Sequence, residues 1–528
     1  MNELNHIAKA SVRGGFLLFL GSISSTIIMA ITSILVARLL GPENYGLYTV
    51  IMIAPTFLIT LSDLGISSAL TRYSAHLHVE GKNREAASLI KIGILFKLTF
   101  TLVISLFLIH VSEEIATHVL NRPGIGPLIR IASLYLIGQA VLNSVSSTFI
   151  GLDEAGKSSL LMNVQAVIKA VASLSLILLG IGVSGAVVGA GAGVVVAATS
   201  GVIILLLHTC TKLSRDSVQS EDISFHQGLK TIISYGSPLY LSALIVGLQT
   251  QVQRIILALY ASNVSIGNYH TALNFTVLIT VLATPIATTL FPAFSKLNME
   301  RDRDSIKRMF KLSVKYTSLI IIPASTALAL LSKNTVHTLY GQQYQTAPAY
   351  LALYMLSFLL TAIGMYVTGA LFNSQGDTKT TLKINLINFA TSIPLAVTLI
   401  PTYGVPGLIT SILTAQLIST AYSLHQVHKK YRMNIEWISS LKIMAASLSS
   451  AIIVYILLKL APLNNPIYSL GMGGTLYFIS FLVFAPILRA ISLEDLENLE
   501  GLTNELPLIH PLVGFILGIE RKIIELLM

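Results

Sequence analysis

Charged residues in this chain avoid about fourteen long apolar stretches and gather on alternate connections between them. The stretches begin at 14–37, 45–69, 89–111 and 125–150 and continue to 466–489. Each approaches or exceeds the roughly 20 residues a helix needs to cross a bilayer core. With 53% hydrophobic and 11% charged residues and a mean hydropathy of +0.75, the expected fold class is an all-α polytopic membrane protein of about fourteen transmembrane helices. The segment 14–37 is too long for a signal-peptide core and reads as a first span that is retained.

The sign of the charge predicts orientation. Lys9 and Arg13 precede the first span; Arg72, Lys82, Arg84 and Lys91 surround the connection after the second; Lys212, Arg215 and Lys230 follow the sixth. A further basic set runs from Lys296 to Lys315, and another from Lys429 to Lys442. The intervening connections 180–185, 261–267 and 401–404 carry no Lys or Arg. Basic loops stay on the cytoplasmic side, so both termini are expected inside a plasma membrane and the span count is even. The net charge of +10 is then a topology signal and implies no nucleic-acid partner; membrane lipids are the expected neighbours. One cysteine, Cys210, excludes an intrachain disulfide and argues against a thiolate metal site. No cofactor or metal is expected.

The chain repeats itself. Gly185 in "GIGVSGAVVGA" matches Gly407 in "PTYGVPGLITS", and Lys157 in "GLDEAGKSSLLMN" matches Lys379 in "NSQGDTKTTLKIN", both at an offset of 222. Upstream, Gly46 matches Gly267 at an offset of 221. A constant offset over much of a half points to duplication of a six-span unit, with the copies in one orientation around a central cavity. The expected domains are an N-lobe at 1–210, a cytoplasmic linker at 211–228, a C-lobe at 229–428, an extra helix pair at 439–490 and an amphipathic cytoplasmic tail at 491–528. Ser492 is a candidate N-cap for that tail, which should lie on the membrane surface or the inner loops.

Three motif matches carry less than they promise. Residues 151–158, "GLDEAGKS", satisfy G-x-x-x-x-G-K-[ST], but the phosphate loop needs a strand before it and a helix after it. Here the stretch is a turn between two apolar spans, so no nucleotide is expected. Gly180, Gly182 and Gly185 fit G-x-G-x-x-G on a non-cytoplasmic turn, whereas Gly185, Gly189 and Gly193 repeat every four residues, the spacing that lets helix backbones approach closely. Asn263 in "NVS" matches a glycosylation sequon on an outer turn, more simply a chance occurrence.

Ionisable residues inside spans are the functional candidates. Lys169 is central in span five, Lys97 lies in the inner half of span three and Arg254 in the outer part of span seven; Asp63 is the only acidic residue within a span. A Lys or Arg at the bilayer centre costs ~2.5–3.5 kcal/mol on insertion scales, so it normally faces a wet path or a partner. Gln165, Lys169 and Ser173 recur at helical spacing, as do Lys97, Thr101 and Ser105, and Arg254 follows Gln251 by three; both stripes are expected to line a shared wet face. None of the cations is repeated, since their equivalents are Leu319, Thr391 and Thr32. Asp63 pairing with one cation and Lys97 reaching to inner headgroups is the structural alternative. A cationic, asymmetric cavity suits a phosphate or diphosphate.

The segment "SILVARLLGPENYGLYTVIMIAPTFLITLSDLGISSALTRYSA" resembles the N-terminal signature of the polysaccharide and lipid-linked-oligosaccharide flippase family, within the multidrug/oligosaccharidyl-lipid/polysaccharide exporter superfamily. The resemblance covers spans one to fourteen and leaves the tail beyond Ser492 unexplained. It carries over onto Arg38, Gly41, Pro42, Tyr45, Gly46, Asp63 and Gly65. It implies a flippase, not an enzyme, that moves a lipid-(pyro)phosphate-linked glycan between leaflets and works alongside glycan-assembly proteins. The expected substrate-binding set is Arg254, Lys169, Lys97, Arg38, Asp63, Gln165 and Gln251. An ion-coupled small-molecule exporter of the same superfamily is the alternative, though such a protein usually wants cavity carboxylates. A membrane glycan polymerase or glycosyltransferase is disfavoured, since the outer loops are short and offer only Glu43, Glu113 and Glu114 as acids.

Overall fold

The computed structural model describes residues 2–211, 223–299, 301–461, 465–503 and 510–527. It is 89% helical, with no strand among the described residues, and eleven helices are long and apolar enough to cross a membrane, or twelve with one bent pair counted as a span. The protein is a multi-pass membrane protein. The expected count of fourteen is not reached; two helical stretches, Leu18–Ser62 of 45 residues and Ala155–Leu207 of 53 residues, are each about twice the length a single pass requires.

Backbone breaks lie inside these stretches. The first helix, α1 (Asn2–Ile51), is interrupted at Gly41 (φ 74°, ψ 170°) just before Pro42. Glycine adopts this conformation without a Cβ clash, and proline starts the next helical segment well because it needs no N–H donor there. Helix α2 (Ile53–Ser62) stops at Asp63, and α3 (Ile66–Val79) restarts after Leu64 (φ 49°) and Gly65 (φ 77°). Helices α4 (Asn83–His110) and α5 (Gly126–Gly151) follow, then α6 (Ala155–Leu176), and α7 (Gly182–Ile203) after a reversal with positive φ at Gly180 and Gly182.

The stripe Gly185, Gly189 and Gly193 packs as its spacing predicts. A Cβ at Gly185 would meet Leu176, one at Gly189 would meet Ser173, and one at Gly193 would meet Lys169 and the Gln165 carbonyl, all under 3.0 Å. Helices α6 and α7 therefore run antiparallel with backbones nearly touching. The stretch 151–158 is a helix-to-helix turn: Lys157 Nζ donates to Glu154 Oε1 at 2.6 Å and sits 5.5 Å from the Phe149 ring. Asn263, in the sequon, accepts a hydrogen bond on Oδ1 from Arg122 Nε at 2.9 Å.

The described chain divides into two compact units, 1–270 and 271–528. This boundary differs from the repeat boundary, because helix α8 (Phe225–Tyr260), expected in the C-lobe, packs within the first unit. Gly65 and Gly236 let the backbones of α3 and α8 approach closely, and Tyr240 Oη donates to the Leu61 carbonyl at 2.9 Å. The core of this unit joins Ile66, Leu70, Ile90, Val145, Phe149 and Ile232. Most of the 211–228 linker lies outside the described residues.

In the second unit, Arg303–Leu330, Trp437–Leu460 and Pro466–Ile487 share a core that also takes in the tail: Leu496, Leu517 and Ile524 are buried with Ile443, Tyr477 and Phe481. Ser492 caps the tail helix Leu493–Thr503, accepting from Asp495 N at 3.3 Å while Asp495 Oδ2 accepts from Ser492 N at 2.8 Å, a reciprocal pair of bonds. The acidic start of the tail meets basic residues of the preceding spans: Lys315 donates to Asp495 at 2.6 Å and Arg308 to Glu494 at 2.9 Å.

Candidate functional site

All seven expected site residues fall in the first unit, but they separate into groups with different surroundings. Lys97 is 1% exposed, and its ammonium donates to the Ser62 carbonyl at 2.7 Å and to Asp63 Oδ1 at 3.4 Å. Asp63 also accepts from Ser67 Oγ at 2.7 Å. Lys97 thus neutralises the C-terminal end of α2 where the chain breaks, a favourable position for a cation. Thr101 and Ser105 are as buried as Lys97, and Thr101 Oγ1 donates to the Lys97 carbonyl at 2.7 Å. The expected wet face on this stripe is therefore corrected: it packs inward, and its polar groups are satisfied internally.

The stripe on α6 keeps a polar outlet. Gln165 Nε2 donates to Gln139 Oε1 at 2.9 Å, and Gln139 passes the bond on to the exposed Asn143 at 2.8 Å. Lys169 is half-buried. It lines a cavity of about 30 Å³ with Thr32, Ser33, Tyr45, Tyr48 and Ser173, room for a water molecule. Thr32 is the repeat equivalent of Arg254, so the two copies contribute different chemistry at matched positions. Across the site, Gln251 Oε1 accepts from Thr56 Oγ1 at 3.4 Å. Arg38 is exposed near the Gly41 break.

Tyr135 on α5 lies within electrostatic reach of Lys169, Arg254 and Tyr48. Arg254 is in turn within reach of Tyr269 and His270. Among the described residues neither Lys169 nor Arg254 has an ion-pair partner. Lys169 and Arg254 thus share Tyr135 as an electrostatic neighbour, while Lys97 and Asp63 form a pair of their own. The tyrosines were missed because an aromatic in an apolar run reads as hydrophobic. A signal existed, since Tyr48 and Tyr269 stand at the same 221 offset as Gly46 and Gly267. Those two glycines touch, with a Cβ on Gly46 lying 2.9 Å from the Gly267 nitrogen. Gln253, also missed, is 7% exposed and leaves its side-chain N–H donors unpaired.

A half-buried Lys and Arg without carboxylates, ringed by phenol and serine hydroxyls, form an environment for a multivalent oxyanion. The family model described as "Polysaccharide biosynthesis protein" matches residues 11–298, over half of the chain. The chain belongs to that family. The chain is 23% identical over 394 residues to the lipopolysaccharide biosynthesis protein WzxC of Escherichia coli (strain K12), covering 73% of this chain and 74% of that one. It is 22% identical over 217 residues to the "Probable flippase AglR" of Haloferax volcanii, covering 40% and 45% of the two chains. The fold matches an inward closed conformation of the lipid II flippase MurJ with a TM-score of 0.72 at 17% identity, over 89% of this chain and 98% of that one. It also matches an inward-facing multidrug resistance MATE family transporter with a TM-score of 0.62 at 18% identity, over 77% and 94%.

Proposed function

We propose that this protein is a flippase that moves a lipid-(pyro)phosphate-linked oligosaccharide or polysaccharide unit across the cytoplasmic membrane by alternating access. The observation that carries the reading is that, among the described residues, Lys169 and Arg254 have no ion-pair partner while both act electrostatically on Tyr135. A half-buried charge inside a span without an ion-pair partner is costly to keep, and a diphosphate repays that cost with charge-assisted hydrogen bonds. The reading is supported further by the names of the relatives: WzxC in lipopolysaccharide biosynthesis, and AglR and MurJ as flippases. Lys97 and Asp63 act as scaffold, while Gln165 and Gln251 supply neutral hydrogen bonds to glycan or phosphate.

The chain crosses the membrane fourteen times in this reading, with the 45- and 53-residue helical stretches each making two passes, and both termini lie in the cytoplasm. A cation-exchanging exporter would need a free carboxylate in the spans. Asp63, the one acid there, is held by Lys97 and Ser67.

The test uses purified protein in sealed vesicles with a fluorescent lipid-linked glycan and an impermeant quencher. Protein-dependent exchange of the probe between leaflets is expected. Exchange no faster than in empty vesicles, together with proton-driven efflux of organic cations, would replace the flippase with the exporter.

A further inference from the structure

Away from the Lys169–Arg254 cluster, a second polar pocket opens on the side of the first unit that carries the basic connections. Its volume is about 450 Å³, and it is lined by Tyr73 of α3 and by Lys230, Thr231, Ser234 and Tyr235 of α8. That volume lies in the range typical of small-molecule sites. On α8, Lys230 and Ser234, and likewise Thr231 and Tyr235, are four residues apart and so present one helix face. Their distance from α3 is fixed by the backbone contact of Gly65 with Gly236, which leaves no room for a side chain.

Arg72 stands beside the lining: its guanidinium lies 4.2 Å from the Tyr235 ring centre and 5.8 Å from that of Tyr73, while the two rings meet edge to face at 5.6 Å. This cation–π contact holds the guanidinium beside the pocket. Among the described residues, Arg72 and Lys230 have no ion-pair partner, and the hydroxyls of Tyr73, Ser234 and Tyr235 have no hydrogen-bond partner. Thr231 instead donates to the Gln227 carbonyl at 2.9 Å. Two cations answer phosphate oxygens, and three hydroxyls beside aromatic carbon answer the hydroxyls and C–H faces of a sugar ring.

We propose that this pocket is a loading site that binds the sugar-phosphate headgroup of the lipid-linked cargo at the inner leaflet, before it reaches Lys169 and Arg254. The proposal rests on the flippase reading for the identity of the cargo and adds a separate site with its own residues. An ordinary anionic phospholipid offers the phosphate without the sugar ring, so it binds the pocket more weakly.

The test places the full chain in phosphatidylcholine nanodiscs and titrates a fluorescent polyprenyl-diphosphate-linked monosaccharide, with phosphatidylglycerol as competitor. Lys230→Gln and Arg72→Gln should each weaken binding about tenfold, Lys230→Arg should restore most of it, and Tyr235→Phe, which keeps the ring and removes the hydroxyl, should weaken it severalfold. In a Lys169→Gln background, which disables the central site, Lys230→Gln should weaken the remaining binding by a similar factor. Lys230 is exposed, so its substitution tests the pocket even if Arg72→Gln disturbs folding. Unchanged affinity in Lys230→Gln, or phosphatidylglycerol competing as strongly as the sugar-bearing probe, overturns the loading site. Wild-type protein that flips the probe alongside a Lys230→Gln variant of normal affinity rejects the pocket alone. Normal binding that Lys230→Gln abolishes, with no flipping by wild type, supports the pocket and rejects the flippase.

Discussion

Lys97, Lys169 and Arg254 look alike in the sequence as charges inside apolar spans, yet the structure gives them opposite situations. Lys97 is enclosed and paired, so its contribution is to folding. Asp63→Asn leaves the buried ammonium without its anion and should cost about 3 kcal/mol of stability, near the lower limit for a broken buried pair because Asp63 is itself one-third exposed. Lys97→Met should cost less, since the carboxylate left behind can reach solvent, and the double variant should recover much of the loss. Thermal unfolding in detergent measures all three; a double variant no better than Asp63→Asn alone would show that the pair is not the source. Lys169 and Arg254 should behave in reverse. Lys169→Gln and Arg254→Gln should fold normally and lose more than tenfold in flipping per folded molecule, while Arg254→Lys keeps part of it because charge survives and the planar fork does not. Full flipping by both well-folded glutamine variants would end the cationic-site reading.

At the scale of elements, helix contacts are set by glycine and by caps. Gly193 has Lys169 Cβ and the Gln165 carbonyl where its own Cβ would be. Gly193→Leu should therefore separate α6 from α7 and displace both polar residues, lowering expression and flipping together; a well-expressed, active variant would contradict this packing. The tail is an element of a different kind. Glu520 is 3% exposed, and burial pushes its carboxyl up to about 7. A carboxyl raised in the docked state favours docking most at pH below its ordinary value near 4.5, and that advantage disappears as pH rises through 7. Hydrogen-exchange protection over His510–Leu527, taken relative to the intrinsic exchange rate at each pH, should be greater at pH 5.5 than at pH 8, and Glu520→Gln should abolish that difference in protection. An equal pH response in Glu520→Gln would move the effect to another group.

For the whole molecule, orientation follows from loop charge. Cysteines at Ser262 and Ser305, in a chain whose Cys210 has been replaced, should be labelled from opposite sides of the membrane; labelling of both by one impermeant reagent from outside would overturn the assignment. Membrane class and helix contacts were legible because they depend on local spacing, apolar length and every-fourth glycine. The candidate site was legible only in part. Lys169 and Arg254 stood out as charges at depth, but which cation would take Asp63 is decided by where α4 passes the end of α2, and no spacing rule encodes that crossing. The tyrosines stayed hidden because their hydroxyls matter only once three helices converge.

The Lys97–Asp63 pair also bears on how the chain enters the bilayer. Spans leave the ribosome in order, so Asp63 is already delivered when Lys97 follows one span later. The lysine can then partition as half of a neutral pair on two neighbouring helices, instead of as a lone cation. Lys169 enters with no acid in its own hairpin, and Arg254 arrives later still, so only long apolar flanks can carry these two in. On the proposed mechanism, biogenesis and transport make opposing demands on the same residue type: the lysine that eases insertion is unavailable to cargo, and the cations proposed to hold cargo are the ones hardest to insert.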